Sequence, residues 1–213
     1  VKDQTYFLWM LTEENLRRTI FPLGGLTKTQ VRQIALEHGH ETLSKKAESQ
    51  DICFIPNNDY RTFLAEQGLQ IEPGNYTDNT GKVLGKHCGF CNYTIGQRKG
   101  LGIALGSPKH VLKIDAQTNT VVLGDHDELY TCNVQAGDVR VRDIQWLLDS
   151  PQVTARIRYK SPAVAATLQI TPMVNNQSPI LNLHFNQPVW GVTPGQSLVI
   201  YKDGLLVGGG IIL

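Results

Sequence analysis

A change of pattern near residue 71 constrains this chain more than any other feature. Before it, apolar residues recur at helical spacing. After it, short apolar runs alternate with polar residues and are broken by Gly, Pro and Asn. In the first part, Thr12 precedes Glu13 and Glu14, a helix start with acids at the positive end of the dipole. Thr27 and Gln30 fit a capping box, with Val31, Ile34, Ala35 and His38 on one face and Gly39 as the stop. Asn57 or Asn58 is the expected cap of a third helix that turns Tyr60, Phe63 and Leu64 inward and ends at Gly68. Beyond residue 71, runs 111–115 and 120–124 read as strands around the turn 116–119. Val153, Ala155, Ile157 and Tyr159 alternate with Thr154, Arg156, Arg158 and Lys160, which places Arg156, Arg158 and Lys160 on one strand face. Runs 181–185, 197–201 and 205–212 complete a set spaced as in a small closed barrel. The expected fold class is therefore α+β: a helical part over 1–70, a central β domain over 71–141 and a β-barrel over 142–213.

Charge narrows the function classes. Twenty Lys and Arg face nineteen Asp and Glu, and the isoelectric point of about 7.8 is below the strongly basic range of a nucleic-acid coating protein. Only the last third carries a positive excess, five basic residues to three acidic. No run approaches the roughly 20 apolar residues of a membrane-crossing helix, so none is expected. Four cysteines in 213 residues are too few for a disulfide scaffold, which favours a reducing, cytoplasmic setting. The chain opens on Val1 rather than Met, and we read it as a piece of a longer polypeptide.

Several residues have types and spacings suited to chemistry. Cys53 follows a loop carrying Lys45 and Lys46 and precedes an expected helix start, surroundings that favour a thiolate. A cysteine within Ile-Cys-Phe-Ile is equally at home as a small buried hydrophobe. Cys88-Gly89-Phe90-Cys91 could be half of a zinc site or a redox pair, but no second pair follows at zinc-finger spacing, and two unmodified thiols are the favoured reading. Gly96-Gln97-Arg98-Lys99-Gly100-Leu101-Gly102 sets two cations among glycines, a pattern suited to a phosphate backbone or to a plain solvated turn. It is no Walker loop, and none occurs elsewhere. Lys2-Asp3-Gln4 lines up a cation, an acceptor and an amide.

Four blocks in order carry a resemblance: Lys2-Asp3-Gln4-Thr5-Tyr6-Phe7-Leu8, Ser49-Gln50-Asp51-Ile52-Cys53-Phe54-Ile55, Tyr93-Thr94-Ile95-Gly96-Gln97-Arg98-Lys99-Gly100-Leu101-Gly102 and Thr193-Pro194-Gly195-Gln196-Ser197. With these the chain resembles the bacterial and organellar tRNA-specific 2-thiouridylases. The resemblance implies an enzyme that activates the C2 oxygen of a wobble uridine with ATP and replaces it with persulfide sulfur. It implies that Cys53 carries the persulfide and that Lys2, Asp3, Gln4, Arg158, Tyr159 and Gln196 contact tRNA, Arg158 and Tyr159 from a barrel strand. Arg98 and Lys99 join that set from the residue reading. ATP, with Mg2+, is the implied cosubstrate and no metal is expected in these residues. The implied partners are tRNA and a persulfide-donating protein, with neither membrane nor DNA involved. The resemblance further implies that 1–70 is the helical tail of an α/β nucleotide-binding domain and that the barrel is similar to those of elongation factors. The family's Ser-Gly-Gly-x-Asp-Ser loop does not occur in the 213 residues, and its second catalytic cysteine, which forms a disulfide with the first during turnover, is not assigned to Cys88, Cys91 or Cys132. This piece alone is therefore expected to be inactive. A non-catalytic RNA-binding module is the competing expectation.

Overall fold

The computed structural model describes residues 3–45, 55, 59–69, 71–171 and 179–213. The chain divides into two compact units, one of residues 12–70 and one that joins 1–11 to 71–213.

In the smaller unit, α1 (Glu13–Arg18), α2 (Lys28–Glu37), α3 (Glu41–Lys45) and α4 (Tyr60–Glu66) are short. Thr12 caps α1 by accepting from the Asn15 N–H. Thr27 and Gln30 close the expected capping box on α2, and Gly39 follows at φ +78°. Asp59, not an asparagine, caps α4 through the Thr62 N–H. A carboxylate satisfies an orphan amide and also complements the dipole, so it is well suited to this place. Tyr60 is exposed, and Phe63 and Leu64 are only half-buried. Among the described residues of this unit, Ser44 alone is buried.

The larger unit holds two sheets. β1 (Gly74–Thr77), β2 (Val83–His87), β3 (His110–Asp115) and β4 (Thr120–Gly124) form a four-stranded sheet in the order β2-β1-β4-β3, with β1 and β4 parallel. The β3–β4 turn forms where expected: the Asp115 carboxylate accepts from the Gln117 and Thr118 amides and Asn119 takes φ +47°. Tyr76, Tyr93, Val111 and Val121 fill its core, and the Tyr76 hydroxyl donates to the Leu101 carbonyl at 2.6 Å.

β5 (Tyr130–Val141), β6 (Gln152–Arg156), β7 (Val164–Thr171), β8 (Ile180–Trp190), β9 (Ser197–Lys202) and β10 (Leu205–Ile212) close into a six-stranded barrel in the order β10-β5-β8-β7-β6-β9. The barrel's first strand thus lies N-terminal to residue 142. Val153, Ala155 and Ile157 point into a core shared with Leu168, Phe185 and Ile200, as the period-two pattern dictates. Every barrel pairing is antiparallel, and closure leaves no sheet edge open to other chains. Two barrel strands and a helix are absent from the pattern reading: β5, β7, whose Ala165 and Ala166 dilute the strand signal, and α5 (Ile144–Asp149). Lys202, 6% exposed, donates from Nζ to the Trp146 and Ser150 carbonyls at 2.7 and 2.6 Å and lies over the Trp146 ring. One barrel strand thereby satisfies carbonyls at the end of a helix too short to hold itself.

Candidate nucleic-acid interface

Residues 3–11 lie as a strap across β9 and β10. Tyr6 and Trp9 are buried against Val199 and Tyr201, and Trp9 fits because Gly209 has no side chain to obstruct it. The Tyr6 hydroxyl donates to the Ser197 carbonyl at 2.8 Å; burial pushes the phenol's pKa up and keeps that proton in place. The Thr5 hydroxyl gives its one proton to Asp3 at 2.7 Å, so the Tyr201 hydroxyl, 3.1 Å from Thr5 Oγ1, is the donor there.

The strap brings Asp3 to Arg156. Asp3 Oδ2 lies 3.6 Å from Arg156 Nη1, and the Arg156 guanidinium sits over the Tyr201 ring. Burial alone would raise the Asp3 carboxyl, but the Thr5 hydrogen bonds and the Arg156 charge outweigh it and hold its pKa below 3.8. Gln4 is exposed at the start of a 3-10 turn over Thr5–Phe7.

Arg158 and Tyr159 do not lie in a barrel strand, because β6 ends at Arg156 and the chain turns. The three cations expected on one strand face therefore diverge. Arg156 meets the strap. Arg158 folds back, donating from Nη2 to the Gly191 carbonyl and, at 3.1 Å, to Thr193 Oγ1, with its guanidinium over the Trp190 ring. Gly191, at φ +68°, makes this approach possible, since a Cβ would sit 2.6 Å from Arg158 Nη2. Burial lowers the Arg158 pKa, with Tyr6 opposing; a guanidinium starts high enough to stay charged. Lys160 remains exposed in the turn. Tyr159 packs on Phe7 at 4.7 Å and Tyr6 at 5.9 Å between ring centroids. Gln196 is half-buried in the turn before β9, where the Ile212 amide donates to its carbonyl.

Asp3, Gln4, Arg158, Tyr159 and Gln196 are thus gathered around the strap and the adjoining end of the barrel. Lys2 and Cys53 lie outside the described residues. Arg98 and Lys99 are exposed on the glycine-rich loop, joined to this region by a run of rings. Gly96, at φ +86°, packs edge-on against Trp190. His126 stacks on Trp190 at 5.7 Å and meets His110 at 5.3 Å. Burial, His126 and Arg98 together lower the His110 pKa, against Asp125. Sequence reasoning missed Trp190, Tyr201 and this histidine pair, since they come together only across strand pairings. Tyr6 lay within a recognised block but carried no assigned role.

For ATP and Mg2+ the described residues offer no fit. Gly96–Gly102 leads into extended chain rather than a helix N-terminus, and no group of three His, Cys, Asp or Glu side chains able to hold a metal occurs among the described residues. Cys88, Cys91 and Cys132 are free thiols; Cys88 Sγ lies 3.6 Å from the Tyr93 hydroxyl, and Gly89 N–H donates to His87 Nδ1.

Three family models match consecutive parts of the chain: a tRNA methyl transferase HUP domain over 1–57, a tRNA methyl transferase PRC-barrel domain over 61–125 and an aminomethyltransferase beta-barrel domain over 136–212. Among curated proteins, the tRNA-specific 2-thiouridylase MnmA of Natranaerobius thermophilus is 46% identical over 213 residues, all of this chain and 56% of that protein. The proteins of the same name from Desulfitobacterium hafniense and Herpetosiphon aurantiacus are 41% and 47% identical, over 100% and 99% of the chain and 59% and 57% of their own lengths. The chain thus spans little more than half the length of these relatives. The models' descriptions speak of methyl transfer and the relatives' names of thiolation; identity along the whole chain makes the second the more specific.

Proposed function

The chain belongs to the family of tRNA-specific 2-thiouridylases, and we propose on that premise that it is part of an enzyme placing sulfur at C2 of a tRNA wobble uridine. The observation that carries the reading is the chain-long identity to thiouridylases. The gathering of Asp3, Gln4, Arg158, Tyr159 and Gln196, the residues the resemblance marks for tRNA, around the strap and the adjoining end of the barrel supports it, because residues far apart in sequence need a common reason to converge.

In this reading ATP, held with Mg2+ outside the described residues, makes the C2 oxygen a leaving group. Cys53 carries the persulfide. Its terminal sulfur attacks C2, the activated oxygen departs with AMP, and the S–S bond is then cleaved as a second cysteine forms a disulfide with Cys53. The second cysteine and the ATP site are assigned to no residue of this chain. The barrel and strap hold tRNA: Gln4 and Gln196 present amides, and Arg158, Arg98 and Lys99 present charge to phosphates. Arg158 is a fixed contact, since Gly191 and Thr193 set its direction. A persulfide-donating protein supplies the sulfur, and the free thiols fit a cytoplasmic enzyme.

The test is 2-thiouridine, quantified by nucleoside mass spectrometry, from the full-length natural protein with tRNA, ATP and a persulfide donor. Wild type is expected to make product and Cys53→Ser none, with tRNA affinity unchanged. Equal product from both would remove Cys53 from the sulfur path. No product from either, with tRNA still bound, would favour a non-catalytic RNA-binding module.

A further inference from the structure

A cavity of about 420 Å3 opens at the end of the barrel, between the turn after β6 and the end of β8. That volume lies in the range of small-ligand sites, roughly 300–1,000 Å3. Its floor is aliphatic, with Ile157, Val164 and Val189, and its walls include the flat rings of Tyr130 and Trp190. Arg158 and Lys160 stand at its edge, and among the described residues no carboxylate lines it. We propose that this cavity takes an unstacked nucleobase of bound RNA, with the base against Tyr130 and Trp190 and the attached phosphate at Lys160. The proposal rests on the reading that this chain contacts RNA, and it adds a base-binding subsite to that reading.

The chemistry of the lining selects the occupant. An apolar slot walled by aromatic rings suits a planar ring, and stacking on aromatics is how proteins hold single-stranded bases. The cationic edge selects a ring that brings negative charge, which an apolar peptide does not. Trp190 is held in place by the Arg158 guanidinium and the His126 ring, so the face open for stacking is that of Tyr130. Tyr130, its cross-strand partner, is 46% exposed and faces an incoming ring at little ordering cost. Lys160 is exposed and has no ion-pair partner among the described residues, leaving its charge for a phosphate. Arg158 also acts electrostatically on Tyr6, so the cavity adjoins the strap.

The experiment measures binding of unmodified tRNA by the full-length natural protein, wild type against Tyr130→Ser and Lys160→Gln, with thermal melts to verify folding. Tyr130→Ser is expected to weaken binding about tenfold, the scale of one stacked base. Lys160→Gln should reduce the salt slope of binding by about one phosphate contact, and it keeps the test open should Tyr130→Ser fail to fold. Uridine 5′-monophosphate should compete with tRNA where ribose 5-phosphate at equal concentration does not. Affinity within twofold of wild type in folded Tyr130→Ser, or equal competition by the two small molecules, overturns the base subsite. Absence of tRNA binding by the wild type overturns it as well. Loss of affinity in these variants, with no 2-thiouridine from the full-length protein, would keep the subsite and reject the thiolation reading.

Discussion

The barrel with its strap and the helical unit of residues 12–70 use opposite means to specify structure. The barrel buries Phe185, Leu181, Leu198 and Ile200 completely. The helices are written in local chemistry: a cap at Thr12, a capping box at Thr27 and i,i+4 pairs such as Glu13–Arg17. Yet Ile20, Phe21, Leu23 and Leu43 are exposed, and α2 buries nothing. Short helices are marginal in water without a packed face. Caps and pairs decide where a helix starts and stops; burial decides whether it endures.

Four substitutions would break or sharpen that contrast. Phe185→Ala should cost the barrel about 3–5 kcal/mol through lost burial and a cavity, read as a lowered urea midpoint. Lys202→Met keeps the volume but strands the Trp146 and Ser150 carbonyls. A loss of roughly 2 kcal/mol is expected, with faster hydrogen exchange in α5. Thr27→Ala removes the hydroxyl side of the capping box, leaving the residue 27 amide to donate to Gln30, and should cost α2 about 1 kcal/mol; the barrel's melting should not change, and a shift there would undo the contrast. The smallest effect is that of Asp3→Asn. The folded pKa of Asp3 is depressed, so its contribution is full above the unfolded value of 3.8 and is lost as pH falls through the lower folded value. The variant should be slightly less stable at neutral pH, by the small amount of a partly exposed pair, and converge with the wild type as pH falls below 3.8, which flattens the acid limb.

The strap bears on function because it ties the first block of the sequence to the barrel. Tyr6 and Trp9 anchor it, which fixes Asp3 against Arg156. A surface assembled this way is set in the free protein, so under the proposed function little ordering cost would fall on binding RNA.

Features encoded within a few residues were legible in the sequence. The caps at Thr12 and Thr27, the Asp115–Asn119 turn and the alternation at Val153, Ala155 and Ile157 depend on neighbours and on backbone geometry alone. The four blocks identified the family, because their order and residue types survive without any coordinates. Tertiary structure decided the rest. Closure of β10 onto β5, the strap across β9 and β10, and Lys202 holding α5 join residues 50 to 200 positions apart, beyond any local pattern. Arg156, Arg158 and Lys160 show the limit most clearly. Period two predicts a shared face only while the strand continues, and β6 stops at Arg156. Past that point Asp3, the Gly191 carbonyl and the Trp190 ring decide where the charges go, since a cation follows its partners rather than its sequence register.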